Sequence, residues 1–457
     1  MSRPALMVLL LVASTAVAGG RPRYGGVLRV ALASPVADPN PMTVDRPETA
    51  ALAALLAPPL CRLDPQRGVV PTVVDVSRSQ PNRVQISLRV GGLRRPSDLA
   101  DRWSALSQPA TLSPYRALLA PLRGEGRGLT AAAGTFDVAL SYPWPDLERT
   151  LCHPALGMPD GGPFTSTPPG GSLAFNLASP EGRPFPDRLQ FVAADERRAT
   201  RLFSTRQADL LLGATVEDAQ AGSPAPQGGT PTPAPALFAT YLVYRSAHAG
   251  TELRTVLEQS VDPQDLVQRF IAAPAVPMTQ LLPPALMPPA AATPAPVAGP
   301  APRAPGRELT LFYDTALDEH RAVAERIQVR LHDRGYRLAL KPVTRAELGG
   351  RWASGDYDLM LRTLLLPPVP AAALALAIEL AGRHDLLAVE LSTIGAVADA
   401  NARDARARER AAVLRASLPL LPLYARAPQL SAAPSVQGLR ADGFGLPMLD
   451  QMFLSQE

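Results

Sequence analysis

The chain has 457 residues, of which 45 are basic and 41 acidic, so its formal charge is +4 and its pI near 9.3 rests on a small excess. That balance is not the clustered basic face of a nucleic-acid binder, and no nucleic-acid partner is expected. Beyond the N-terminal run no apolar stretch approaches the roughly 20 residues that span a bilayer, and the remaining length suits two or three α/β units.

The N-terminus has Arg3, an apolar run from Ala5 to Ala13 and the small-residue triplet Ala16-Val17-Ala18 before Gly19-Gly20. This is the three-part layout of a secretory signal peptide, with cleavage expected after Ala18. No cysteine follows that position, so no lipid anchor is expected, and neither is stable membrane insertion after cleavage. The protein is expected in the periplasm or secreted. Lys341 is the only lysine, which reads as coding bias toward arginine rather than phosphate recognition.

Along the chain, Val27, Val30 and Leu32 predict a strand after Gly25-Gly26, and Pro47 opens an alanine-leucine helix to about Ala57. Cys61 and Cys152 are compatible with one disulfide in an oxidising compartment. Two separate buried thiols remain the default reading, because sequence alone does not bring the pair within bonding distance. Val84, Ile86, Leu88 and Val90 alternate as a half-buried strand does, Ser97 can cap a helix bearing Leu99, Trp103 and Leu106, and Phe136, Val138 and Leu140 mark another strand. Residues 219–236 and 283–305 are rich in Pro, Ala and Gly and read as linkers or long surface loops.

The clearest unit is 308–363. Leu309, Leu311 and Tyr313 predict a strand; Leu317, Ala324, Ile327 and Leu331 recur at helical spacing up to Gly335; Tyr336, Leu338 and Leu340 return to period two. Thr344 to Glu347 then reads as a capping box before a short helix and a strand from Tyr357 to Thr363. Such alternation is the grammar of an α/β lobe. His320 and His332, with charged neighbours, are expected on the solvated face of the helix.

No enzyme signature emerges. Gly124, Gly126 and Gly128 lack dinucleotide-loop spacing, the lysine is not in a phosphate loop, the five histidines lack zinc-protease spacing, and no serine sits in a nucleophile elbow. The two cysteines have no zinc-finger spacing. Neither catalysis nor a metal or cofactor is expected.

The order of features resembles the extracellular solute-binding family of ABC transporters that includes dipeptide, oligopeptide and nickel-binding proteins. The resemblance is carried by GGVLRVALASPVADPNP near the start, LCRLDPQRGVVP at 60–71, DERRATRLFSTRQADLLL at 195–212 and TELRTVLEQSVDPQDLVQRFI at 251–271. Leu282-Pro283-Pro284, GDYDLML at 355–361 and LPLLPLY at 418–424 continue it. It implies a two-lobed α/β fold of the periplasmic-binding-protein type (type II) that closes on a ligand held in the cleft. The first lobe would span 19–236, with a reduced accessory domain, and take back 429–457; the second would span 237–428.

The resemblance further implies a monomer that captures a small-molecule or peptide-like ligand and delivers it to permease subunits. Ligand contacts would fall at Ser34 and Pro35, at Tyr244 and Arg245 where the chain crosses, and at Arg362, Thr363 and Leu364 after a strand ending at Arg362. Core or hinge packing is the alternative for Tyr244, and a rim salt bridge for the two arginines. Where peptide-binding members carry an aromatic residue and an aspartate, this chain has Leu364 and Pro367, so ordinary free-amino dipeptides are expected to bind weakly. A degenerate relative that keeps the fold and serves in interaction or sensing is the competing reading.

Overall fold

The computed structural model describes residues 24–34, 39–89, 96–108, 111–122, 130–132, 135–159, 161–167, 171–214, 234–245, 252–271, 274–287 and 306–455. The readings placed on 1–18, Pro35, Val90, 91–95, 124–128, 219–233 and 288–305 lie outside them.

Two six-stranded sheets carry the architecture. The first runs Leu430–Ala432, Leu210–Leu212, Val27–Leu32, Arg188–Ala193, Ser172–Phe175, Phe164–Thr167. Val27–Leu32 lies parallel to both neighbours. The second runs Ala275–Pro277, Leu420–Arg426, Phe238–Tyr244, Leu359–Leu365, Arg307–Asp314, Tyr336–Val343. Phe238–Tyr244 (FATYLVY) is buried along its whole length, as an interior strand covered on both faces must be. A separate antiparallel sheet of Val74–Gln80, Arg83–Leu88, Thr135–Ala139 and Thr130–Ala132 is attached to the first lobe.

The 307–365 unit forms as its periodicity implies: strand Arg307–Asp314, helix Asp318–His332, strand Tyr336–Val343, helix Arg345–Ser354, strand Leu359–Leu365. Thr344 caps the second helix, its hydroxyl accepting from the Glu347 amide at 3.3 Å. Gly355 ends that helix in the left-handed region (φ 73°), where a side chain would also strike the Arg245 guanidinium. The helix Pro370–Leu380 (PAAALALAIEL) has no exposed face; it packs among 114–122, 384–395 and 400–414 and holds the larger core together.

Several expectations change. The helix expected to start after Ser97 begins at Pro96, whose fixed φ suits a first turn. The second loop segment does not start at Pro283: Leu286 is buried in the turn Pro284–Leu286, and Met287 packs against the core. His320 is 1% exposed rather than solvated, since it stands on the same helical face as Val323, Ala324, Ile327 and Leu331. Cys61 and Cys152 are joined in a disulfide with Cα atoms 4.5 Å apart, which replaces the default of separate thiols. The strand Cys61–Asp64 and the helix Leu147–Leu151 pack together, and that packing brings the two cysteines into range.

The bridge closes a loop of 91 residues, and loops of that size give roughly 4–5 kcal/mol in the chain-entropy account. Replacing both cysteines with alanine is expected to lower unfolding free energy by about 2–5 kcal/mol, measured as a denaturant midpoint. Reductant should shift the wild-type midpoint the same way and leave the double variant unmoved. The bidentate pair between Arg403 and Asp146 (2.7 and 2.9 Å) is buried on both sides. Arg403→Ala leaves the buried Asp146 carboxylate only a loose pair with Arg149 at 3.9 Å and is expected to cost about 3–5 kcal/mol, whereas Arg406→Ala, at a half-exposed helix pair, should cost under ~0.5 kcal/mol by the same measurement.

Candidate functional site

A cavity of about 540 Å³ lies between the lobes, inside the ~300–1,000 Å³ range of small-molecule sites. The first lobe contributes Asn40 to Thr49 and Thr111 to Tyr115. In the first of these, Asn40 caps the turn Pro41–Thr43 (Met42 amide to Oδ1, 3.0 Å), and Pro47 starts the next helix. The second lobe contributes the loop after Arg307–Asp314, the first turns of the helices Asp318–His332 and Arg345–Ser354, and the middle of strand Leu359–Leu365. The cavity therefore opens at the carboxyl ends of two parallel strands, where α/β sheets place ligands.

The lobes meet through polar contacts around the cavity. Arg345 pairs with Asp45 at 2.8 Å and with Asp314 at 3.4 Å. Arg46 donates to the Ala316 carbonyl. The Tyr115 hydroxyl donates to the Val44 carbonyl at 2.7 Å and accepts from the Leu365 amide at 2.9 Å, tying a first-lobe turn to a second-lobe strand. The ring nitrogens of His153 divide their roles. Nδ1 accepts from the Ala155 amide (3.1 Å), so Nε2 carries the proton and donates to the Leu365 carbonyl (3.0 Å).

Three arginines and two aspartates line the cavity: Arg46, Arg345, Arg362, Asp45 and Asp314. Burial pushes Asp45 up to about 6, against the pull of Arg345 and Arg46. Arg362 stands apart from the rest. Its guanidinium lies 5.7 Å from the Trp352 ring centroid and makes no hydrogen bond or ion pair with any described residue. Burial lowers its pKa from the ordinary value, and the Asp45 charge counters this in part. His320 is neutral, pushed down to about 3 by burial, and its Nε2 meets the Thr363 hydroxyl at 2.9 Å, which meets Thr240 at 2.8 Å.

Of the residues expected from sequence, Arg362, Thr363 and Leu364 line the cavity. Arg362 does so from mid-strand, since the strand runs on to Leu365. Tyr244 does not line it: the residue is 5% exposed in the second-lobe core with Leu242, Ile327 and Leu421. Arg245 does not either, since its amide donates to the Asp358 carbonyl (3.0 Å) and its guanidinium lies over Tyr357. Ser34 follows the first strand, outside the lining, with its hydroxyl buried and unpartnered among the described residues. Asp45, Arg46, Tyr115 and Arg345 were not found from sequence. Leu112 was also missed, and it lines the cavity in the left-handed region (φ 57°), a strained position for a branched side chain.

No protein-family model matches the chain, and no curated protein matches its sequence. Solved structures do match over nearly its whole length. The murein tripeptide binding protein MppA of Escherichia coli is 16% identical, with 94% of this chain and 99% of that one covered and a TM-score of 0.75. The unliganded open form of MppA is also 16% identical, with 94% and 97% covered and a TM-score of 0.58. The periplasmic binding protein DppA of Helicobacter pylori, in complex with the peptide STSA, is 14% identical, with 95% and 99% covered and a TM-score of 0.72. The chain thus has the two-lobed α/β fold of the ABC-transporter substrate-binding proteins.

Proposed function

We propose that this protein is the substrate-binding component of an ABC transporter, holding a small organic or peptide-like solute between its lobes and delivering it to permease subunits. The observation that carries this reading is the cavity: both lobes line it, interlobe bonds join them beside it, and it holds one arginine, Arg362, with no hydrogen bond or ion pair to any described residue. A half-buried cation in that state, with its donors turned to the cavity, favours an anion there. Binding rather than catalysis fits a lining that offers three arginines and two paired aspartates, and in which the Thr363 hydroxyl beside the weakly basic His320 is already held by Thr240. The N-terminal sequence and the disulfide support a periplasmic or secreted location. The fold supports a protein that acts as a monomer.

Native mass spectrometry of protein purified from its own host is expected to show one small molecule bound per chain, lost on denaturation. Adding that molecule at about 100 times its Kd should stabilise the protein by about 2.7 kcal/mol. A mass equal to the bare chain, together with no thermal shift from any compound of a broad solute library, would reject the proposal.

A further inference from the structure

Resting on the solute-capture reading, the structure points to one class of solute. We infer that the ligand is a small organic acid whose single carboxylate docks on Arg362, and that it brings no free ammonium group into the cavity.

The argument is one of partners. Each charge on the cavity wall has an opposite charge or a carbonyl already engaged, except one. Arg345 holds both lining carboxylates, Asp45 at 2.8 Å and Asp314 at 3.4 Å. Arg46 holds the Ala316 carbonyl. Two further acids lie just behind the lining. Glu319 pairs with Arg426, and burial raises the pKa of Glu48, which disfavours its charged form. Arg46 keeps its Nε unpartnered, and Arg362 goes further, facing the cavity with every hydrogen-bond donor unused by any described residue.

A guanidinium fork offers two parallel N–H donors to a carboxylate, and burial makes that pairing stronger than at a surface. The reverse group, an ammonium, would meet two lining carboxylates, Asp45 and Asp314, that both already carry an ion pair to Arg345. It would have to break the Arg345 ion pairs or sit unpaired, with Arg362 repelling it. A phosphate monoester brings nearly two negative charges, more than the single fork of Arg362 matches, so it is also disfavoured. His320 adds no charge. It and Thr363 supply neutral polar groups beside Arg362.

The test is a thermal-shift screen of small solutes sorted by charge: monocarboxylates including N-acetyl dipeptides, free dipeptides and amino acids, amines, and phosphate esters. Affinities of the compounds that bind would then be measured by calorimetry. The expected result is that stabilising compounds fall among the monocarboxylates. The best of them should lose at least ~100-fold in affinity in Arg362→Met and about 10-fold in Arg362→Lys, as expected for a lost or weakened charge-assisted fork. The ligand-free Tm of Arg362→Met should not fall, because the variant removes a half-buried charge that has no partner among the described residues. A second measurement needs no variant: the primary amide of the best acid should bind wild type at least ~100-fold more weakly.

Stabilisation mainly by free dipeptides, amines or phosphate esters would overturn the inference and leave solute capture standing. So would an acid and its amide of equal affinity, or an acid that binds Arg362→Met as it binds wild type. Absence of any binder in every class would overturn solute capture itself, and this inference with it.

Discussion

The cavity depends on one antiparallel ladder, between Phe238–Tyr244 and Leu359–Leu365. Its register sets Thr240 opposite Thr363, Tyr241 opposite Arg362 and Ala239 opposite Leu364. Because neighbouring residues on a strand point to opposite faces, that register decides which side chains reach the cavity. It brings the Thr240 and Thr363 hydroxyls within 2.8 Å, which in turn sets the hydrogen bond to His320. Tyr241 is buried on the same ladder and donates to the Leu281 carbonyl at 2.7 Å, which holds the interior strand in place. The side chains that could meet a ligand are thus fixed by backbone pairing among strands far apart in sequence.

The same register explains which parts were legible in the sequence. The 307–365 unit could be read because its signals are local: alternation, a 3.6 period, a Thr344 cap and two stopping glycines. Arg362 was found because it lies in that unit. Tyr244 and Arg245, expected from the resemblance, lie at the end of the interior strand away from the cavity lining. Tyr244 pairs with Leu359, three rungs from Arg362, or roughly 10 Å at ~3.3 Å per residue. Asp45 and Arg345 meet across 300 positions of sequence, and no local period reports such a pairing. His320 could have been found: it keeps the spacing of Val323, Ala324, Ile327 and Leu331, and its charged neighbours drew attention away from that face.

Arginine is almost the only cation in the chain, and the structure shows how the fold accommodates it. Arg403 with Asp146, Arg410 with Glu390 and Arg326 with Asp265 each make two donations to one carboxylate group. Arg116 meets Glu379, a carboxylate with no exposure, beside His384. Planar, permanently charged forks suit such buried pairs better than an ammonium does. Against this background of matched pairs, Arg362, which faces the cavity with neither a carboxylate nor a carbonyl on it among the described residues, stands out.

The order of strands in the first sheet has a consequence for how the chain matures. Leu210–Leu212 is flanked on one side by Val27–Leu32 and on the other by Leu430–Ala432, which arrives from near the C-terminus. During synthesis from the N-terminus, the first lobe can build five of its six strands while that flank stays bare for more than two hundred further residues. A bare strand edge with three leucines invites pairing with other chains. The last strand is therefore a closing piece as well as a structural one, and a nascent or truncated chain would be more prone to aggregate than the finished protein.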